Sequence, residues 1–138
     1  MKREISNTDA FKLSTKNSVF VDVREKDELE RIAYNVTNVI NIPLSQFEHR
    51  FHLLSKEADL IIVCRTGRRS GLVTDFLSNR GYSHARNLIG GIIQWEEEGL
   101  PVIRNEEKGL YESAPEAHPA FFSFLKRIKN IIKRTESK

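Results

Sequence analysis

Cysteine occurs once in these 138 residues, methionine and tryptophan once each, and proline four times. A single thiol excludes an internal disulfide and leaves no second thiol to resolve a bond formed on the first. Any disulfide or persulfide chemistry therefore needs another molecule, and a reducing compartment is the expected setting. No hydrophobic run approaches the roughly 20 residues that cross a bilayer as a helix, and Met1 to Ser6 lacks the apolar stretch of a signal peptide. A cytoplasmic location is expected. Histidine is also sparse. His49 and His52 stand three apart without a cysteine or acidic partner at ligand spacing, and His84 and His118 are isolated, so no metal site is expected. Gly67-Arg68-Arg69-Ser70-Gly71 has neither the glycine spacing of a dinucleotide loop nor the Gly-Lys-Ser/Thr of a nucleotide loop. No organic cofactor is implied.

The one cysteine ends the apolar run Leu60-Ile61-Ile62-Val63 and opens the loop Cys64-Arg65-Thr66-Gly67-Arg68-Arg69-Ser70. An apolar run of four reads as a buried parallel strand, and the small and cationic residues after it force a turn. Ser70 to Asn79 then shows helical spacing, with Leu72, Val73, Phe76 and Leu77 on one side. A strand, tight loop and helix start place backbone N–H groups around the sulfur. Those donors, the helix dipole and three arginines within five residues favour the thiolate, and no apolar core tolerates that density of unpaired charge. The effect is large enough to decide the chemistry. A thiol of pKa about 8.5 is roughly 3% ionised at pH 7, and one lowered to about 6.5 is roughly three-quarters ionised.

Other segments alternate strand and helix. A short strand at Ile5 precedes a capped helix after Ser6-Asn7-Thr8-Asp9. Val19 to Arg24 is a strand ending in Asp22 and Arg24, and Val39-Ile40-Asn41-Ile42 is another, closed by Pro43. Leu44, Phe47, Phe51 and Leu54 have helical spacing. Arg86 to Ile89 is a last short strand before Gly90-Gly91, and Ile92 to Glu98 is a helix stopped by Gly99 and Pro101. The pattern predicts a doubly wound α/β fold, a mostly parallel sheet of about five strands with helices on both faces, over residues 1–105. Sites in such folds lie beyond the strand C-termini, where Asp22, Arg24 and the Cys64 loop all fall. Asp22 and Arg24 read equally as a structural ion pair or as shapers of that loop. Trp95, beside Gly90-Gly91, reads as core packing in preference to a substrate platform.

Four motifs in order complete a resemblance: Val21-Asp22-Val23-Arg24-Glu25; Ile40-Asn41-Ile42-Pro43-Leu44; Cys64 to Ser70; and Gly90-Gly91-Ile92-Ile93-Gln94-Trp95 leading to Gly99-Leu100-Pro101-Val102. From about Ile5 to Arg104 the chain resembles a single-domain rhodanese. The resemblance implies that Cys64 takes a sulfane sulfur from thiosulfate or a persulfide donor and passes it to cyanide or a thiol, small or protein-borne. Backbone N–H groups from Arg65 to Ser70, with the Ser70 hydroxyl, supply donors for the sulfur, and Gly67 permits the loop's path. Arg69 and Arg68, which close the loop, are favoured over Arg65 to hold the donor's oxyanion. Where family members commonly carry a Gly-His pair, this chain has Tyr34-Asn35, a departure that bears on local packing.

Two rival functions are weighed. Dual-specificity phosphatases of the cell-cycle type share the fold but place an arginine six positions after the cysteine. Here Arg69 is five positions after Cys64 and the sixth is Ser70, a ring suited to a sulfur anion and tight for a phosphoryl group. The other rival is a non-catalytic binding or sensing module. Its signal is the C-terminal part, where residues 106–118 read as a linker and residues 119–138 carry six Lys/Arg against one Glu. Phe121, Phe124, Leu125, Ile128, Ile131 and Ile132 share about a third of a helical circumference, which predicts a basic amphipathic helix. Fourteen such residues reach about 21 Å, too short to span a bilayer. Docking on the parent domain or a second copy, lying on an anionic membrane surface, and binding a protein partner remain open; nucleic acid is not expected.

Overall fold

Strand residues that are apolar on both sides need both faces covered, and the fold supplies the cover. The computed structural model describes residues 3–105. Its elements run β1 (Glu4–Ile5), α1 (Asn7–Ser14), β2 (Val19–Asp22), α2 (Lys26–Arg31), β3 (Ile32–Tyr34), β4 (Val39–Asn41), α3 (Phe47–Arg50), β5 (Leu60–Val63), α4 (Arg68–Ser78), β6 (Ala85–Leu88), α5 (Gly91–Glu97) and β7 (Val102–Arg104). Five strands form a parallel sheet in the order β1-β6-β5-β2-β4, so the expected architecture is present.

Period-two alternation along β5 divides the core. Ile61 and Val63 join Phe20, Leu88 and Trp95 on the face covered by α1 and α5. Leu60, Ile62 and Cys64 join Val21, Phe47, Val73 and Leu77 on the face covered by α3 and α4. Cys64 is thus delivered toward α4, the helix its own loop starts. Trp95 is fully buried and packs edge-on against Phe20 and Tyr34, with ring centroids 5.6 and 5.3 Å away. Its Nε1–H donates to the Pro101 carbonyl at 2.8 Å, the core role expected of it.

The structure corrects several details. The helix expected over Leu44 to Leu54 is a 3-10 turn at Leu44–Gln46, the single helical turn of α3, and a second 3-10 turn at Phe51–Leu53. Three residues per turn break the 3.6-residue stripe, so Leu44 turns outward while Phe47 stays buried. Leu72, placed by its spacing on the buried side of α4, is 64% exposed. The helix α2 and the antiparallel pair of β3 with β7 were not foreseen. Both strands are three residues long, too short for periodicity to distinguish them from loop. The linker over 106–118 and the basic helix over 119–138 lie outside the described residues. Among the described residues, no helix is long and apolar enough to cross a membrane.

Candidate active site

At the C-terminal end of β5 the chain wraps around the Cys64 sulfur. Gly67, with φ of 95°, caps α4, and its N–H donates to Sγ at 3.1 Å. The Ser70 N–H, from the first turn of α4, donates to the same sulfur at 3.4 Å, and the Ser70 hydroxyl lies 3.2 Å from it. Burial pushes the Cys64 thiol up; the Ser70 hydroxyl and the backbone N–H groups of Ser70, Gly67 and Thr66 outweigh it and hold the thiol below its ordinary value. Arg65, Thr66 and Arg68 point outward and are exposed, whereas Cys64 and Ser70 are buried.

The loop is fixed from beneath by the start of α5. The Ile92 N–H donates to the Cys64 carbonyl at 3.0 Å and the Ile93 N–H to the Arg65 carbonyl at 3.2 Å. Tyr34 adds its hydroxyl to the Cys64 carbonyl at 3.1 Å. The departure Tyr34-Asn35 thus places a buried tyrosine directly behind the cysteine. Such close backbone approach requires glycine at position 91. Its φ is 61°, and a Cβ there would stand 2.3 Å from the carbonyl carbon and oxygen of Arg65. Gly91→Ala should destabilise the protein by at least about 2 kcal/mol and displace the sulfur's N–H donors. Denaturant unfolding and the alkylation rate of Cys64 measure the two effects, and unchanged values for both would refute this account of the loop.

Asp22 and Arg24 form an ion pair with N–O distance 2.8 Å and side chains 1% and 2% exposed. Arg24 also donates to the Ile32 carbonyl at 3.0 Å, and the Asn41 side-chain amide donates to the carbonyls of Asp22 and Arg24, each at 2.8 Å. These bonds anchor α2 and β3 to the end of β2 and set the place of Glu28. Glu28 then reaches the cysteine loop, accepting both terminal nitrogens of Arg69 at 2.8 and 2.7 Å. Arg69, expected with Arg68 to hold a donor anion, is therefore neutralised by Glu28.

The Arg69 hydrogen bonds hold the Glu28 carboxyl at about 2, against the opposing effect of partial burial; the Glu25 N–H and the charges of Arg69 and Arg24 assist. A carboxylate whose folded pKa is depressed stabilises the fold above its unfolded value and loses that contribution as pH falls. With both side chains partly open to solvent, the pair is worth about 1–2 kcal/mol. Glu28→Gln should be less stable by that amount at neutral pH. The difference should shrink as pH falls from 4.5 and vanish near 2, as acid titration of unfolding would show. A difference that persists unchanged at the acid end would refute the pairing.

Sequence reasoning did not find Glu28, Tyr34 or Asn87 as parts of this site. Asn87 bonds both the Ser70 hydroxyl, at 2.5 Å, and the Gly67 carbonyl, at 3.1 Å. The available signals were the position of Glu28 three residues after the helix cap Glu25 and that of Asn87 at the end of the strand before Gly90-Gly91. Neither by itself points to the cysteine. His49 lines a cavity of about 360 Å³ between α3 and α4, with Leu44, Phe47, Leu72 and Phe76 among its neighbours. No cluster of three or more His, Cys, Asp or Glu suited to a metal ion occurs among the described residues.

Comparison with known proteins bears on this arrangement. Residues 8–98 match the model of the rhodanese-like domain. A sulfurtransferase of Allochromatium vinosum is 32% identical over 92 residues, covering 67% of this chain and 84% of that protein. Thiosulfate sulfurtransferase 18 of Arabidopsis thaliana is 30% identical over 101 residues, covering 64% and 74%. Among solved structures, a rhodanese-related protein from Thermoplasma volcanium superposes with a TM-score of 0.66 at 34% identity, covering 73% of this chain and 97% of that one. The polysulfide-sulfur transferase homodimer of Wolinella succinogenes gives 0.67 at 29% identity, covering 76% and 81%.

Proposed function

The chain belongs to the rhodanese-like domain family, and on that premise we propose that it is a sulfurtransferase that carries a sulfane sulfur on Cys64. The observation that carries this reading is the convergence of the Gly67 and Ser70 N–H groups on Sγ at 3.1 and 3.4 Å, donors aimed where negative charge must reside. With thiosulfate as donor, the Cys64 thiolate attacks the outer sulfur. A bond forms between Sγ and that sulfur, the original S–S bond breaks, and sulfite leaves with the electron pair. The persulfide keeps one negative charge on its outer sulfur. An acceptor thiolate or cyanide then attacks that sulfur and returns Cys64 as the thiolate.

Roles divide by exposure. Arg65 and Arg68 face solvent and meet the anionic donor, whereas Arg69, tied to Glu28, anchors the loop. Asp22 and Arg24 support that anchor from beneath.

Relatives named for thiosulfate and for polysulfide support two donor classes, and one experiment separates them. Intact mass is measured after exposure of the protein to thiosulfate and, separately, to polysulfide, with aryl phosphate hydrolysis followed in parallel. Gain of one sulfur atom from either donor, without phosphate release, is the expected result. Phosphate release without any sulfur gain would replace sulfur transfer by the phosphatase reading.

A further inference from the structure

The Ser70 hydroxyl carries one proton and has two acceptors within reach. Its Oγ lies 2.5 Å from Asn87 Oδ1 and 3.2 Å from Cys64 Sγ. The orientation of Asn87 is fixed, because its Nδ2 donates to the Gly67 carbonyl at 3.1 Å and a flipped amide would set two oxygens against each other. Oδ1 must therefore face Ser70. In the thiol state both contacts are satisfied in series: Cys64 S–H donates to Ser70 Oγ, and the Ser70 O–H donates to Asn87. In the thiolate state the sulfur has no proton to give and accepts one instead. The Ser70 hydroxyl serves it only by leaving Asn87.

We propose that Asn87 is a positioning residue that holds the Ser70 hydroxyl when Cys64 is a thiol and yields it to the sulfur when Cys64 ionises. The thiol proton goes to solvent, and the Ser70 proton rotates about its own oxygen without being transferred. Ionisation thus breaks one buried hydrogen bond as it forms another, so Asn87 opposes the ionisation that Gly67 and Ser70 promote. The opposition is useful for a nucleophile, since a thiol whose pKa lies near ambient pH attacks faster than one ionised far below it. Once the outer sulfur of a persulfide carries the charge, the hydroxyl is free to return to Asn87.

Titratable and charged groups face the sulfur from each neighbouring element. From β3, Tyr34 is raised well above its ordinary value by burial and by the charge of Asp22, with the Arg24 charge opposing. From α4, Arg69 is raised by its bond to Glu28 of α2. Arg65 and Arg68 belong to the loop itself, and β2 contributes the ion pair of Asp22 with Arg24. The strand β6 faces the site with the neutral Asn87, and α5 with the N–H groups of Ile92 and Ile93.

The experiment follows thiolate absorbance and alkylation rate against pH in the full chain. It rests on Cys64 being the reactive thiol of the proposed sulfurtransferase, but it reads ionisation and not transfer, so a protein that failed to turn over would still report. Asn87→Ala should raise the ionisation constant of Cys64 about fivefold, the equivalent of one neutral hydrogen bond no longer lost. A purely structural Asn87 gives the opposite sign, because a loosened Gly67 carbonyl weakens the N–H cradle and lowers that constant. In a Ser70→Ala background the Asn87→Ala increase should disappear. A decrease, no change, or an equal increase without Ser70 overturns the proposal. Should Asn87→Ala not fold, Asn87→Val tests the same sign on a strand-compatible side chain. In the unaltered protein the Asn87 side-chain amide resonances should move with the Cys64 titration, and static resonances overturn the proposal as well.

Discussion

Cys64→Ser should leave a folded protein that gains no sulfur from any donor and has lost transfer activity by a factor on the order of 10³ or more. The substitution is nearly isosteric, and a serine oxygen accepts the Gly67 and Ser70 N–H groups as the sulfur does, so the loop and its anchors should survive. Nucleophilicity does not survive. The thiol is held below its ordinary pKa by those same donors, whereas an unassisted hydroxyl stays protonated at any pH the fold tolerates. No second thiol is present to take over. Intact mass after donor treatment, with thermal unfolding as a control, measures the outcome. Sulfur gain by a folded Cys64→Ser protein would remove the basis for assigning the chemistry to this loop.

Arg24→Ala should be the most destabilising polar substitution considered, by about 3–5 kcal/mol, because it leaves the Asp22 carboxylate buried without its partner. It also strips the Ile32 carbonyl of its donor at the junction of α2 and β3. Burial alone would lower the Arg24 pKa, but the charge and hydrogen bonds of Asp22, with smaller contributions from Tyr34 and Glu28, raise it overall. Arg24 therefore remains charged at every working pH, and the loss should not depend on pH near neutrality. For a domain of this size the unfolding temperature should fall by well over about 10 °C. Asp22→Leu combined with Arg24→Met should recover only part of the loss, since removing both charges leaves the Ile32 carbonyl unsatisfied. Full recovery by the double substitution, or a single-variant loss below about 1 kcal/mol, would show that this pair does not organise the strand end.

Glu28 links the two results. It stands on α2, which Arg24 holds, and it grips Arg69 of the cysteine loop. Loss of Arg24 should therefore slow sulfur transfer even at temperatures where the variant is folded.

Legibility from sequence followed chain distance. The run from Leu60 to Ser70 states its own geometry: apolar residues demand a buried strand, Gly67 accepts the positive φ, and the helix start supplies the N–H donors. Helix α5 was legible for similar reasons, with Gly90-Gly91 before it and Gly99-Pro101 after it. Where the local rule was weak, the reading failed. Leu44 to Leu54 has a helical stripe, but the turns on either side of α3 tighten to 3-10 geometry, and the stripe loses its register. The strands β3 and β7 carry no usable period, and each is stabilised by the other across about 70 residues of chain.

The amino-acid sequence by itself determined that a lone thiol ends a buried strand, enters an arginine-bearing turn and meets the first turn of a helix, because all three are set by neighbouring residues. Tertiary structure alone decided which groups act on that thiol from afar. Tyr34 lies 30 residues from Cys64, Glu28 lies 41 from Arg69, and Asn87 lies 17 from Ser70. Hydrogen bonds of that span exist only once the fold has brought α2, β3 and the end of β6 up to the C-terminal end of β5, and no local pattern specifies which side chains will meet there.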